Sequence, residues 1–532
     1  MPTPDDPRRG RSRALEAELR ARIADGTHAA GAALPSSRAM AAERGLSRGT
    51  VMLVYEQLAA DGLIETRAGA AARVAMGAAD ALRRARPGPS TAMPMAASTA
   101  ASTVASTAEL TAESTAAPKA GPVSPPAAPP APRLSAIGRR IAAMGLGGPE
   151  PVASEAPDPV IDFVYGPLAG ADFPSQAWLK ALRTAERQRP ARLGYEDPRG
   201  HPALRLALQA HLSRTKALAC RPGQIMVVNG SQQGLDLCAR LLLDPGDPVV
   251  VENPGYRMAH RTFEACGARL SGVGVDTHGL RTEDLAAVTH ARLACVTPSH
   301  QFPLGGCLPL ARRQALLAWA AARQAWVIED DYDSEYRHAV RPQTPLWSLD
   351  TGDRVIHVGT FSKTLSPQLR LGYLVLPEAL VAPFVAARRL ADRHGATAPQ
   401  RALAALLADG RYDHHVRRMR RLQQARQRAL VAALTQQMGR HVRIEGAASG
   451  LHLVAWFPAL PAQAEPALVA AALAHGVRVH PVGPLYLPTD AGTAGSQAVP
   501  RCAGLVMGYA LLDPVRIVAG VQGLAAARAS IA

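Results

Sequence analysis

Lysine is scarce in this sequence, cysteines are unpaired and long apolar runs are missing. Lys119, Lys180, Lys216 and Lys363 are the whole lysine complement beside 55 arginines, so a lysine in a chemically meaningful setting stands apart from the ordinary surface charge. Cys220, Cys238, Cys266, Cys295, Cys307 and Cys502 lie scattered, with no CxxC pair or metal-ligand spacing. That argues against a disulfide framework or a metal site, and for free thiols in a reducing compartment. No apolar stretch approaches the roughly 18 residues of a membrane span, and the polar, Arg-rich start from Met1 to Arg13 has no apolar core behind it. The expectation is a cytoplasmic protein that binds no membrane.

What is present is a chain of 532 residues with 48% hydrophobic and 19% charged content. That balance can bury a sizeable core, and the length implies two to four domains at roughly 150 residues each. The net charge of +16 invites a nucleic-acid reading, yet residues 1–78 carry only eleven basic against nine acidic side chains. Charge alone therefore does not locate a DNA-binding part.

Composition divides the chain in three. Residues 79–157 are rich in Ala, Pro, Ser and Thr (STAMPMAASTAASTVASTAELTAESTAAPKAGPVSPPAAPPAPR). Such a segment buries too little apolar surface to offset its chain entropy, so it reads as a disordered linker; its prolines weaken the alternative of an Ala-rich helix. Before it, residues 10–78 read as a small domain. Leu15, Leu19 and Ile23 have helical spacing within Arg13 to Asp25, and PSSRAMAAERG opens a second helix that Gly45 ends. Ser47 caps a third helix from Arg48 to about Asp61 that buries Val51, Val54, Tyr55 and Leu58, and GLIETRAGAAARVA forms two short strands about a Gly69 turn. Three helices and a hairpin make a winged helix-turn-helix. Its DNA-facing candidates are Ser36, Ser37 and Arg38 at the second helix, and Ser47, Arg48 and Thr50 at the first turn of the third. The same residues also serve as caps and solvated faces. The phrase LPSSRAMAAERGLSRGTVMLVYEQLAADGLIETRAG closely resembles the GntR-type winged helix, which implies double-stranded operator DNA as partner. The wing departs from that pattern, with AGAAARV in place of a GSGT-like turn and an aromatic.

In residues 158–532, apolar runs (QIMVVNG, PVVVE, LACVTPS, AWVIEDD, RVIHVGTFS, LGYLVLP) alternate with helical patterns. This predicts an α/β domain with a mostly parallel sheet and ligands at the polar strand ends. The strongest chemical signal is GTFSKTLSPQLRLGY. A Schiff base with pyridoxal phosphate needs a lysine near the aldehyde, with small hydroxyls and an arginine for the phosphate. Lys363 has Thr360 and Ser362 before it and Arg370 after it. The stretch is similar to the class I aminotransferase motif SxSK…R, with Thr360 in place of its first serine. That resemblance gives Asp330 to the pyridine nitrogen and Tyr332 to the ring hydroxyl, with Asp331 supporting from behind or capping a helix. VVNGSQQG opens a helix whose backbone donors at Ser231 and Gln232 suit a phosphate. Tyr256 in VENPGYRMAH is placed to stack on the ring. LGYEDPRGHPALR resembles a family stretch whose tyrosine, here Tyr195, reaches the phosphate of a neighbouring subunit.

Together the two halves resemble the MocR subfamily of GntR-type regulators: a winged helix-turn-helix head on a fold-type I aminotransferase-like domain. The resemblance implies pyridoxal phosphate as cofactor, a head-to-tail homodimer, a small amine or amino acid as effector, and control of vitamin B6, γ-aminobutyrate, taurine or related amine metabolism. Two departures bear on catalysis. Where aminotransferases carry NPTG this chain has PSHQFPLGG, with Phe302 at the asparagine's place and Gln301 or His300 as substitutes. The strand AGLVMGYALL is apolar, about Val506, where an arginine for the substrate carboxylate belongs, leaving Arg501 or Arg257. These departures imply a regulator with at most partial transamination; the alternative is an active aminotransferase that also binds DNA. The Arg-rich run HHVRRMRRLQQARQRAL, His414 to Leu430, reads either as a solvated helix face or as a DNA path through Arg417, Arg418, Arg420 and Arg421.

Overall fold

The computed structural model describes residues 7–60, 63–65, 71–75, 133–146, 160–188, 192–339, 343–488 and 502–531. They fall into two units, Met1–Ser135 and Ala136–Ala532. In the first, helices Pro7–Ala24, Ser37–Arg44 and Arg48–Ala60 precede strands Ile64–Glu65 and Arg73–Val74. The Ser36 hydroxyl accepts the Ala39 backbone N–H at 3.2 Å. Gly45 ends that helix at φ 59, a left-handed turn that costs glycine little. Ser47 starts the next helix in the same way, accepting the Thr50 N–H at 3.1 Å. The apolar stripe of the third helix then packs Val51, Val54, Tyr55 and Leu58 against Leu15, Leu19 and Ile23. The two strands pair antiparallel, Ile64 opposite Val74. The expected Gly69 turn lies outside the described residues.

Most of the stretch read as a linker, 79–157, is also outside the described residues. Within its described part the linker reading fails, because Ala136–Ala143 is a helix. It is part of the second unit, within which the Arg140 Nε donates to the Ala265 carbonyl at 2.9 Å.

The second unit is built on eight strands in the order Ile225–Val228, Gly372–Val375, Val355–Thr360, Trp326–Asp331, Leu293–Val296, Pro248–Asn253, Arg269–Asp276 and Gly279–Leu280. The five from Val355–Thr360 to Arg269–Asp276 are mutually parallel. Gly372–Val375 runs antiparallel to both neighbours. All six apolar runs picked out in the sequence are strands of this sheet. Runs such as Leu293–Val296 are buried at every position because helices cover both faces. Leu235, Phe263 and Phe384 pack on one face, and Trp178, Leu204 and Leu403 on the other. A smaller antiparallel sheet, ordered Arg443–Glu445, His452–Phe457, Ala503–Gly508 and His480–Pro481, packs on helices Arg411–Met438 and Pro514–Ser530. No helix among the described residues is long and apolar enough to cross a membrane.

The head is small, so its stability rests on few side chains. Leu58 is fully buried in its core, and Leu58→Ala should cost about 3 kcal/mol, a large share of a small domain's total. We expect operator binding to collapse in that variant while cofactor absorption stays unchanged; loss of both together would show that the head is not an independent folding unit.

Candidate functional site

The parallel strands end on one edge of the sheet, and the polar residues just beyond those ends build the site. Side chains alternate along Trp326–Asp331, so Glu329 and Asp331 face one way and Asp330 the other. Glu329 is taken by the Leu346 N–H at 2.7 Å and by His357 at 3.0 Å. Asp331 is taken by the Lys216 amine at 2.5 Å and Ser334 at 2.9 Å, which holds its carboxyl below the usual range. Asp330 is left over. It is buried, and its Oδ1 has no hydrogen-bond partner among the described residues. Burial, with the Asp331 and Glu252 carboxylates nearby, pushes its pKa up to about 7. It shares a cleft with Tyr256 and Thr297. An orphaned buried acid of this kind is satisfied by a group that brings its own N–H.

Lys363 follows the adjacent parallel strand, Val355–Thr360, where Val358 registers with Asp330. The segment is pinned at two points: the Tyr336 hydroxyl donates to the Lys363 carbonyl at 2.9 Å, and the Tyr412 hydroxyl to the side-chain Oγ1 of Thr364 at 2.9 Å. The amine donates to the Gly166 carbonyl at 2.8 Å. Burial lowers its pKa against the pull of Asp333 and Asp330, which favours the neutral, nucleophilic form. Thr360 and Ser362 are linked at 3.0 Å between hydroxyls.

Beside them begins helix Ser231–Leu242, whose first backbone N–H groups have no helical acceptor. Arg370 lies over this end, its Nη2 donating to the Asn229 carbonyl at 2.8 Å. A Cβ at Gly230 would stand 2.9 Å from that guanidinium, and Arg370 itself is held at φ 50. Such a backbone conformation in a non-glycine residue is uncommon and costly, so it persists where surroundings enforce it. Ser231 and Gln232 thus contribute N–H groups, whereas the Gln232 side chain is turned to Thr262 at 2.7 Å. The donor set fits an anionic ester at the helix end, an aldehyde at Lys363 and a protonated ring nitrogen at Asp330. Tyr332 is also here, its hydroxyl 2.9 Å from His300 Nδ1. Tyr195 is not brought to the site within its own chain: it is 75% exposed, with Arg393 stacked 4.2 Å above its ring.

In the head, Ser36, Arg38, Ser47 and Arg48 are exposed and Ser37 and Thr50 half-buried. The Ser47 and Thr50 hydroxyls are 2.8 Å apart. In the Arg-rich helix, Arg418 donates to the Asp172 carbonyl at 2.5 Å, Arg420 to the Glu335 carbonyl, and Arg426 to the Asp172 carboxylate at 2.7 Å. Arg417 and Arg421 remain exposed.

Residues 159–492 match the family Aminotransferase class I and II, and residues 11–74 match Bacterial regulatory proteins, gntR family. A probable rhizopine catabolism regulatory protein MocR of Rhizobium meliloti is 34% identical over 97% of this chain and 93% of its own length. The chain belongs to the MocR-type regulators of the gntR family. This regulator is also 30% identical, over 77% of its chain and 75% of that protein, to the pyridoxine biosynthesis transcriptional regulator PdxR of Corynebacterium glutamicum. LysN, an α-aminoadipate aminotransferase of Thermus thermophilus solved with N-(5'-phosphopyridoxyl)-L-leucine, matches at TM-score 0.62 and 29% identity, over 70% of this chain and 93% of that one. The regulator depends on pyridoxal phosphate, held by a fold-type I aminotransferase domain, and its head binds operator DNA.

The alternatives around Phe302 separate clearly. The Gln301 side chain is spent on backbone, donating to the Pro254 carbonyl after strand Pro248–Asn253 at 3.0 Å and accepting the Leu304 N–H of its own loop at 3.0 Å. His300 reaches Tyr332 instead. Arg501 lies outside the described residues, and Arg257 is exposed at the start of its helix. Sequence reading missed Glu252, Asp333, His452 and the pairing of Lys216. Only Lys216 carried a signal, the rarity of lysine.

A buried acid of raised pKa keeps its proton in the folded state while the unfolded chain has released it. From its ordinary value of 3.8 up to about 7, Asp330 therefore makes the cofactor-free protein less stable as pH rises. Asp330→Asn removes this contribution. We expect parent and variant to melt together near pH 4 and the variant to melt several degrees higher near pH 8; a difference that does not change with pH would contradict the assignment.

Proposed function

We propose that the regulator senses pyridoxal phosphate, alone or with a small amine, by holding the cofactor aldehyde on Lys363. The observation that carries this reading is the unpartnered Asp330 Oδ1 on the strand beside the one that leads to Lys363, a half-buried lysine of lowered pKa. In this reading Asp330 pairs with the pyridine nitrogen, Tyr332 with the ring oxygen, and Tyr256 stacks on the ring. The phosphate lies between Thr360, Ser362, Arg370 and the N–H groups of Ser231 and Gln232. Tyr195, exposed in its own chain, completes the cradle of a second copy in a head-to-tail dimer. When bound, the cofactor supplies an electrophilic carbon that captures amines reversibly.

Capture without efficient turnover suits the register of the small sheet. Val506 pairs with Val454 on one side and His480 on the other, and it packs in an apolar cluster with Phe302 and Tyr165. A substrate carboxylate there would be desolvated without a partner, which penalises an ordinary amino acid. In the head, Ser36, Ser37, Arg38, Ser47, Arg48 and Thr50 contact the operator, with the first turn of helix Arg48–Ala60 toward base edges. Such a protein works where chromosomal DNA is, in the cytoplasm. Ligands redirect it only by binding two states of the dimer unequally.

Purified protein loaded with pyridoxal phosphate should show a visible absorption band that Lys363→Ala abolishes. Candidate amines should perturb that band, while oxo-acid release under multiple turnover stays far below the ~1 per second at which working enzymes begin. Sustained release at enzymatic rates would establish the aminotransferase alternative.

A further inference from the structure

Behind Tyr332 lies a buried pair that the proposed cofactor contacts leave unused. His300 and Asp333 are each about 2% exposed. His300 Nδ1 stands 3.0 and 3.1 Å from the two Asp333 oxygens and 2.9 Å from the Tyr332 oxygen. One nitrogen thus meets three oxygens. If Nδ1 lacked a proton, a buried carboxylate would face a lone pair with nothing shared between them, an expensive arrangement. With Nδ1 protonated, its N–H is shared by Asp333 and the tyrosine oxygen. A phenol oxygen that accepts in this way still has its own proton to give, and that proton must point away from the imidazole.

We propose that His300 and Asp333 fix the direction of the Tyr332 hydroxyl, so that Tyr332 donates to the ring oxygen of the bound cofactor and replaces the amide absent at Phe302. This rests on the placement of the cofactor over Asp330. His300 is a positioning residue: it acts through Tyr332 and touches nothing else in the site chemistry.

The surroundings support a tyrosine that stays protonated. Burial and the carboxylates of Asp333, Asp330, Glu252 and Asp331 hold its pKa well above the usual phenol range. From the small sheet His452 faces His300 at 5.0 Å between ring centroids, and burial pulls its pKa down to about 3, so it adds no charge. Burial likewise lowers the pKa of His338, and it lowers that of the Lys363 amine, the other basic group facing the cluster. His300, Asp333 and His452 lie close enough to suggest a metal, with ligand atoms within 4.8 Å of one another. Most of their ligand atoms are already engaged, both Asp333 oxygens on His300 and His452 Nε2 on the Pro303 carbonyl at 3.0 Å, which leaves His300 Nε2 as the buried ring nitrogen without a partner.

A donor to the ring oxygen stabilises its anion and so lowers the pH at which the lysine-linked absorption band titrates. In full-length protein loaded with pyridoxal phosphate, Tyr332→Phe and His300→Leu should each raise that midpoint by about one pH unit. The double variant should move it no further than Tyr332→Phe alone, since both remove one interaction. His300→Asn, whose amide nitrogen sits near the place of Nδ1, should stay close to the parent. A purely structural role for His300 would change melting or cofactor affinity and leave the midpoint in place. An unmoved midpoint in His300→Leu, or additive shifts in the double variant, overturns the proposal. If His300→Leu does not fold, His300→Gln against His300→Asn gives the same contrast, the longer side chain carrying its donor past Tyr332; equal midpoints there also overturn it. A parent protein without any lysine-linked band would instead sink the cofactor placement itself.

Discussion

A carboxyl and an amine at the ends of two adjacent parallel strands cannot both keep their ordinary ionisation once water is removed. Asp330 and Lys363 are in that position: burial raises the acid, lowers the amine and leaves one carboxyl oxygen without a donor. Packing alone does not relieve this. In the proposed reading, a flat cationic ring carrying an aldehyde would relieve both ends at once, supplying an N–H to the acid and an electrophile to the amine. The rest of the domain keeps those ends in place. Tyr336 holds the Lys363 carbonyl and Tyr412 the neighbouring Thr364 hydroxyl, and the alternation of Trp326–Asp331 gives Glu329 and Asp331 partners elsewhere, so that of this strand's three acids Asp330 faces the cleft.

The anion end of the site is a matter of close approach. Gly230 and Gly372 allow a helix start and two strand ends to meet with almost no space between them: a Cβ on Gly372 would lie 3.0 Å from the Ser231 nitrogen. Arg370 reaches this point only through a left-handed backbone conformation. Strain placed beside a cradle of unpaired N–H groups is easier to maintain when an anion repays it, which links occupancy to the stability of this corner.

Local signals were legible in the sequence, and distant juxtapositions were not. Ser36, Gly45 and Ser47 announce helix boundaries because caps act within one turn. The apolar runs announce buried strands because both faces are covered. Lys363 stood out because lysine is rare here. By contrast, nothing near His300 points to Asp333 or to His452, which arrives from a different sheet. A lone histidine or aspartate has many ordinary uses, and only the fold shows which others it meets. The same holds for Lys216, whose partners Asp331 and Glu335 lie over a hundred residues away. Reading 79–157 as uniformly linker failed at Ala136–Ala143 for a related reason: its anchor, the Ala265 carbonyl, is remote in sequence.

The proposed function joins capture at the cofactor site to a change in the head's affinity for DNA. The two are thermodynamically linked only if the cofactor binds the DNA-competent and DNA-incompetent states differently, and the link is then reciprocal. Operator titrations at one fixed salt concentration, with protein stripped of pyridoxal phosphate and then reloaded, measure that link directly. We expect affinities differing at least fivefold, the lower end of ordinary allosteric coupling, with the difference erased in Lys363→Ala. Equal affinities in both states of the parent protein would contradict it.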